Sequence, residues 1–68
     1  MIDINERVSH KIRSLREKNG FTQESLAMKA ELHRAYIGQI ERCEKKIGLT
    51  NLEKIADALD VSIKRFFD

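Results

Sequence analysis

The 68-residue chain has no proline, three glycines and one cysteine. Without proline, and with β-branched residues scattered rather than alternating, helix is the one regular structure the sequence supports. A single thiol, Cys43, excludes an internal disulfide, and no second Cys or His stands near enough to suggest zinc. His10 and His33 lie too far apart in sequence to suggest another metal site. No apolar run approaches the roughly 20 residues that span a bilayer. With no signal peptide and an unpaired thiol, the expected setting is the cytoplasm. Aromatic residues make up 6% of the chain, too few for the exposed stacking surfaces of single-stranded RNA binders. No Ser/His/Asp or paired-carboxylate arrangement accompanies a pocket. An enzyme is rejected, and no metal or cofactor is expected.

What remains is a single small domain over residues 1–68. A chain this size buries only about 60% of its unfolded surface. Helix packing, and a partner subunit, must then supply the stability. The net charge of +2 is too small to diagnose a nucleic-acid binder; what matters is where the charge sits. Between His33 and Lys46 stand Arg34, Arg42, Lys45 and Lys46 against Glu41 and Glu44.

Caps and apolar rhythm predict five helices. Asp3 and Glu6 have capping-box spacing ahead of a helix that buries Val8, Ile12 and Leu15. Asn19-Gly20 ends it, because glycine takes the left-handed position at no steric cost. Thr22, with Ser25 three residues on, caps a second helix whose inner face is Leu26, Ala27 and Ala30. The third runs from about His33 to Cys43. Gly48 or Thr50 caps the fourth, with Thr50 and Glu53 again at capping-box spacing and Leu52, Ile55, Ala56 and Leu59 as its stripe. Ser62 caps a last short helix carrying Ile63, Phe66 and Phe67. Only about three residues, Ala30 to Leu32, join helices two and three. So short a link forces a sharp angle, the helix-turn-helix arrangement.

Helix three sorts its residues by face. At 100° per residue Ile37 and Ile40 share the buried side, with Glu41 at its edge about 40° from Ile37. Arg34, Ala35, Gly38, Gln39 and Arg42 fill an opposite arc of about 140°. Arg pairs bidentately with guanine and Gln with adenine, and an alanine methyl packs on a thymine methyl. A mid-helix glycine costs roughly 1 kcal/mol relative to alanine, and close approach to a groove wall is one reason for Gly38. Tyr36 and His33 flank the buried side.

The stretch GFTQESLAMKAELHRAYIGQIERCEKKIGLTNLEKIADAL resembles the Cro/C1-type (XRE family) helix-turn-helix domain. The match is carried by Gly20, Thr22, Gln23, Leu26, Ala27, Tyr36, Ile37, Ile40, Glu41, Arg42, Leu52, Ile55, Ala56, Ala58 and Leu59. It implies a compact five-helix bundle of the lambda-repressor-like type, with the helix-turn-helix over about residues 22–43. It also implies that Arg34, Ala35 and Gln39 face base edges in the major groove of double-stranded DNA, and the outer arc places Gly38 beside them as a base-contacting candidate. Gln23, Tyr36, Arg42, Lys45 and Lys46 would meet the phosphate backbone, Gln23 also bracing a recognition-helix side chain, and His33, which departs from the family cap, is a further phosphate-donor candidate. Arg16 and Glu41 match an internal ion pair, which would keep the acid from repelling phosphate. The chain departs from the family pattern at the turn glycine, here Glu31, at the Ser or Thr cap, here His33, at the glycine now Cys43, and at a common proline, here Ile47. Glu31 is then expected to adopt a positive φ, at about 1–2 kcal/mol.

Small domains of this kind resemble the controller proteins of restriction–modification systems. The expected function is a sequence-specific transcriptional repressor or activator, nucleoid-associated, regulated by its own concentration rather than by an effector domain. Of Ile63, Phe66 and Phe67, one or two must finish the monomer core against Leu59 and Val61; three exceed what one side of a short helix can bury, so the excess is expected at a homodimer seam, with a simple plug of the fold as the alternative. Two recognition helices would then read a palindromic operator one DNA turn apart, roughly 34 Å. The competing reading is an antitoxin-type module that covers a toxin-like partner through the same apolar helix and also binds its own operator. RNA polymerase is a further partner to weigh for an activator.

Overall fold

The computed structural model describes residues 3–68. Four α-helices, α1 (Ile4–Lys18), α2 (Gln23–Ala30), α3 (Arg34–Glu41) and α4 (Leu49–Leu59), precede a 3₁₀ helix at Ile63–Phe67. Among the described residues, the five-helix expectation is thus corrected to four α-helices and one 3₁₀ segment. Five residues are too few for a stable α ladder, and the segment opens instead with an i→i+3 bond, the Arg65 amide donating to the Ser62 carbonyl at 2.9 Å.

The predicted apolar stripes converge. Ile12 from α1, Leu26 from α2, Ile37 and Ile40 from α3, and Leu52 and Ile55 from α4 are all fully buried, together with Phe66. Each such side chain stabilises the fold by roughly 1.5–3 kcal/mol on leaving water. Phe66, 1% exposed, is the plug of this core. Of the three seam candidates Ile63, Phe66 and Phe67, it is therefore the one that finishes the monomer core, and it is withdrawn from the seam.

The helix starts differ among themselves. Thr22 and Ser25 form a reciprocal capping box: the Ser25 amide donates to Thr22 Oγ1 at 3.0 Å and the Thr22 amide to Ser25 Oγ at 2.9 Å. Asp3 accepts from the Asn5 amide at 2.7 Å, so the cap engages the second helical residue rather than a box with Glu6. For α4 the N-cap is Gly48, with no side-chain bond, which makes Thr50 the second residue of the helix and unable to form a box with Glu53. Ser62 occupies the N-cap of the 3₁₀ helix without a side-chain hydrogen bond.

The helix ends are uniform. In each α-helix an amide just past the end reaches back five residues, Phe21 to Arg16, Leu32 to Ala27, Glu44 to Gln39 and Val61 to Ala56, at 2.8–3.0 Å. This is the Schellman closure, which needs a left-handed residue one position before the donor. Gly20 fills that position after α1 with φ of 77°, but Glu31, Cys43 and Asp60 fill it elsewhere with φ of 59°, 61° and 57°. Phe21, Leu32 and Val61 then pack against the core, as the apolar contact of this motif requires. The turn at Glu31 to His33 leaves α3 lying against α1 and α2 with its far side open.

Candidate nucleic-acid interface

The α3 platform is held from below by a buried ion pair. Arg16 Nε donates to Glu41 Oε2 at 2.7 Å and Nη2 to Oε1 at 3.0 Å, while Nη1 donates to the Phe21 carbonyl at 2.8 Å. The hydrogen bonds it donates to Glu41 hold the Arg16 guanidinium above its ordinary value, burial opposes them, and the charges of Glu41 and Glu17 add to the rise. Gln23 completes the cluster, its Nε2 donating to Glu41 Oε1 at 3.0 Å. Arg16 thus fixes α1 to α3 and Gln23 fixes α2 to α3, and the Glu41 charge is neutralised beneath the surface. Among the described residues, every buried side-chain N or O atom has a hydrogen-bond partner.

Above this base, Gln23, Glu24, Arg34, Ala35, Gly38, Gln39 and Arg42 line one shallow depression. Arg34, Ala35 and Arg42 are exposed and Gln39 is half-buried. Gly38 is buried instead, roofed by Arg42: a Cβ there would lie 3.0 Å from Arg42 Nη1 and 3.4 Å from Gln23 Oε1. The missing side chain leaves room for the Arg42 guanidinium to lie against α3. Arg34 Nη1 donates to Glu24 Oε2 at 3.2 Å. Arg42 donates from Nε and Nη2 to both oxygens of Glu44, at 2.8 and 3.2 Å.

His33 caps α3 with its ring: Nδ1 accepts from the Ala35 amide at 3.2 Å, which assigns the proton of the neutral ring to Nε2. Tyr36 is half-buried, and its hydroxyl accepts from Asn51 Nδ2 of α4 at 3.1 Å. Lys45 and Lys46 are exposed but line a different depression, with Asp3, Asn5, Glu6, Cys43 and Glu44. Geometry therefore gathers Gln23, Arg34, Ala35, Gln39 and Arg42 on one surface and sets the two lysines to its side.

Three features of this region had no clear signal in the sequence. Glu24 and Glu44 stand beside the arginines, yet glutamates in charged segments are ordinary. Asn51 meets Tyr36 across 15 residues of chain. A third is an apolar patch away from α3: Ile4, Val8, Ile47, Leu49, Leu52 and Phe67 share one groove. Leu49 is 74% exposed, Ile4 49% and Phe67 43%. Leu49 lies off the α4 stripe, which was the one available hint.

The helix-turn-helix family model matches residues 12–66. The chain belongs to the helix-turn-helix family. It is similar to the control protein C.SmaI of Serratia marcescens, 41% identical over 64 residues that cover 94% of this chain and 76% of that protein. It is also similar to the control protein C.BamHI of Bacillus amyloliquefaciens, 44% identical over 59 residues, 85% of this chain and 73% of that one. Among solved structures, the restriction–modification controller protein C.AhdI from Aeromonas hydrophila superposes with a TM-score of 0.89. There the identity is 35%, over 93% of this chain and 96% of C.AhdI. This helix-turn-helix protein is a DNA-binding regulator of transcription.

Proposed function

We propose that the protein binds a two-fold operator as a homodimer, with α3 in the major groove and with Arg34, Ala35 and Gln39 toward base edges. One observation carries this reading. The only charged side chain of α3 that faces inward, Glu41, is neutralised by Arg16, while Arg34, Ala35 and Arg42 stand open on the other side of the same helix. The outer side of α3 offers arginine donors, and donors are what guanine O6 and N7 require. Gln39 suits adenine in the same groove. Arg42, His33 Nε2 and Lys45 with Lys46 are suited to phosphates on either side, and Gln23 is suited both to a phosphate and to bracing Glu41.

The apolar groove around Leu49 and Phe67 supports the dimer. Exposed aliphatic and aromatic side chains around one groove are what a second copy would cover. Ile63, at 36% exposure, borders solvent as well, so the seam of this reading is Ile4, Leu49, Ile63 and Phe67. Its similarity to restriction–modification control proteins suggests regulation of such genes.

The test is selection of bound duplexes from a random DNA pool at a stated salt concentration, with the hydrodynamic mass measured on the same protein. Recovery of an inverted repeat with half-sites about one turn apart, and a mass near twice the 7.9 kDa of one chain, is the expected result. No enrichment above the starting pool rejects sequence-specific binding. A single unrepeated half-site with a one-chain mass rejects the dimer. On the recovered duplex Gln39→Ala should cost about 1–3 kcal/mol and leave random DNA nearly unchanged.

A further inference from the structure

Arg34 and Arg42 are both paired with acids, but in different ways. Arg42 commits Nε and Nη2 to the two oxygens of Glu44. Arg34 commits only Nη1 to Glu24, at 3.2 Å. A guanidinium carries five N–H donors in a fixed fork. The Nε and Nη2 donors of Arg34 therefore remain for the O6 and N7 acceptors of a guanine while Glu24 stays in place. Those acceptors are neutral, so they ask for donors rather than for net positive charge.

A phosphate asks for the charge. With Glu24 at hydrogen-bond distance, the Arg34 charge is already offset, and the carboxylate repels a second anion. Glu24 is also the single acid among the residues lining the α3 depression. An acid on a surface meant for a polyanion lowers affinity for every sequence unless it does something selective. Its place in the first turn of α2, facing the first turn of α3, puts it where selectivity can arise.

We propose that Glu24 is a specificity-determining residue that holds Arg34 for a neutral base edge and withholds it from the phosphates of unrelated DNA. This rests on the reading of α3 as the base-reading helix. An exposed ion pair of this kind changes an equilibrium by roughly two- to five-fold. That factor is small for affinity, yet it applies at every random site in a genome.

The test compares the parent, Glu24→Gln, Arg34→Ala and the double variant. Each is titrated, over a range of salt, with a selected duplex and with a scrambled duplex of equal length. Glu24→Gln is expected to tighten the scrambled duplex roughly two- to five-fold. Its salt slope on that duplex should steepen by about 0.9, the value of one added phosphate contact. The selected duplex should change by less than about two-fold, since its guanine contact never needed the charge. In the Arg34→Ala background the effect of Glu24→Gln should disappear. Equal tightening on both duplexes, or the same tightening with and without Arg34, overturns the proposal, because the acid then acts only as bulk negative charge. If Arg34→Ala alone leaves the selected duplex unchanged, the base-reading role itself fails, and the proposal fails with it. Both positions are exposed, and thermal melting of each variant checks that the fold is intact.

Discussion

Arg16 and Glu41 stand 25 residues apart in sequence and meet through two parallel hydrogen bonds of 2.7 and 3.0 Å. The side chains are only 10% and 2% exposed. A buried pair is broken most severely when one partner is removed and the other left charged, at about 3–5 kcal/mol. Arg16→Met should therefore lose most of the stability of a domain this small, because Glu41 would keep only the amide of Gln23. Glu41→Gln leaves no buried carboxylate and should cost less. Urea titration followed by circular dichroism gives both values. Equal losses for the two variants would falsify this asymmetry.

The three left-handed closures at Glu31, Cys43 and Asp60 hold side chains where φ is about +60°. That conformation costs a non-glycine residue roughly 1–2 kcal/mol, partly offset by the greater entropy that glycine loses on folding. Glu31→Gly and Cys43→Gly should each stabilise the protein by about 0.5–1 kcal/mol. For a domain of this length that is about 2–8 °C in Tm. Calorimetry showing unchanged or lower Tm in both variants would mean that these positions are not strained.

Much of this was legible in the sequence because it depends on short-range rules. The four stripes, the turn at Asn19-Gly20 and the inward position of Glu41 follow from a 3.6-residue period and from local capping chemistry. The αL conformation of Glu31 was expected from the glycine it replaces. What escaped was tertiary. Which of Ile63, Phe66 and Phe67 enters the core depends on the pitch of a 3₁₀ turn, which three apolar residues in a five-residue segment do not reveal. Leu49 looks like one more apolar residue of α4 until its neighbours prove to be Ile4, Val8 and Phe67 across the chain. The Glu24–Arg34 and Glu44–Arg42 pairs were likewise hidden, since charge counts carry no geometry. At α4, the box spacing of Thr50 and Glu53 misled because Gly48 starts the helix two residues earlier.

Leu49 is the most exposed member of the apolar groove, and its position at the start of α4 leaves its side chain outside the core. Leu49→Glu should leave the monomer fold intact while placing two like charges near a two-fold axis. Sedimentation should then show one 7.9 kDa species at concentrations where the parent doubles its mass. An undiminished dimer would move the seam away from this groove.

Gly38→Ala should separate stability from binding. Alanine is favoured over glycine inside a helix by about 0.8–1.0 kcal/mol. The atom it meets at 3.0 Å is the end of the flexible Arg42 side chain, which can swing away at little cost. The variant should thus melt higher than the parent by a few degrees. Once displaced, Arg42 no longer lies against α3 beside Gln23, and binding should weaken on selected and scrambled duplexes alike. A variant that melts lower, or that binds as the parent does, contradicts the seat assigned to Gly38.

Glu44 gives a pH dependence with a definite sign. Hydrogen bonds from Arg42 hold the Glu44 carboxyl below its ordinary value; desolvation opposes them, and the charge of Arg42 adds a smaller lowering effect. Because the folded-state value is lowered, the pair's contribution is fully present above the ordinary carboxylate range. It is lost only as pH falls through the lower folded value. If Arg42 leaves Glu44 for a phosphate on binding DNA, the carboxyl of the complex returns toward or above its ordinary value. The complex then holds more protons than the free protein between the two values, so affinity should rise as pH falls through that window. Carbon-detected NMR titration of Glu44 in the free protein should give a midpoint below the ordinary range, and Arg42→Gln should restore it. Binding to a scrambled duplex should tighten over the same interval in the parent and stay level in Glu44→Gln. A pH-independent affinity in the parent would show that Arg42 keeps Glu44 when DNA is bound, and would remove it from the phosphate contacts.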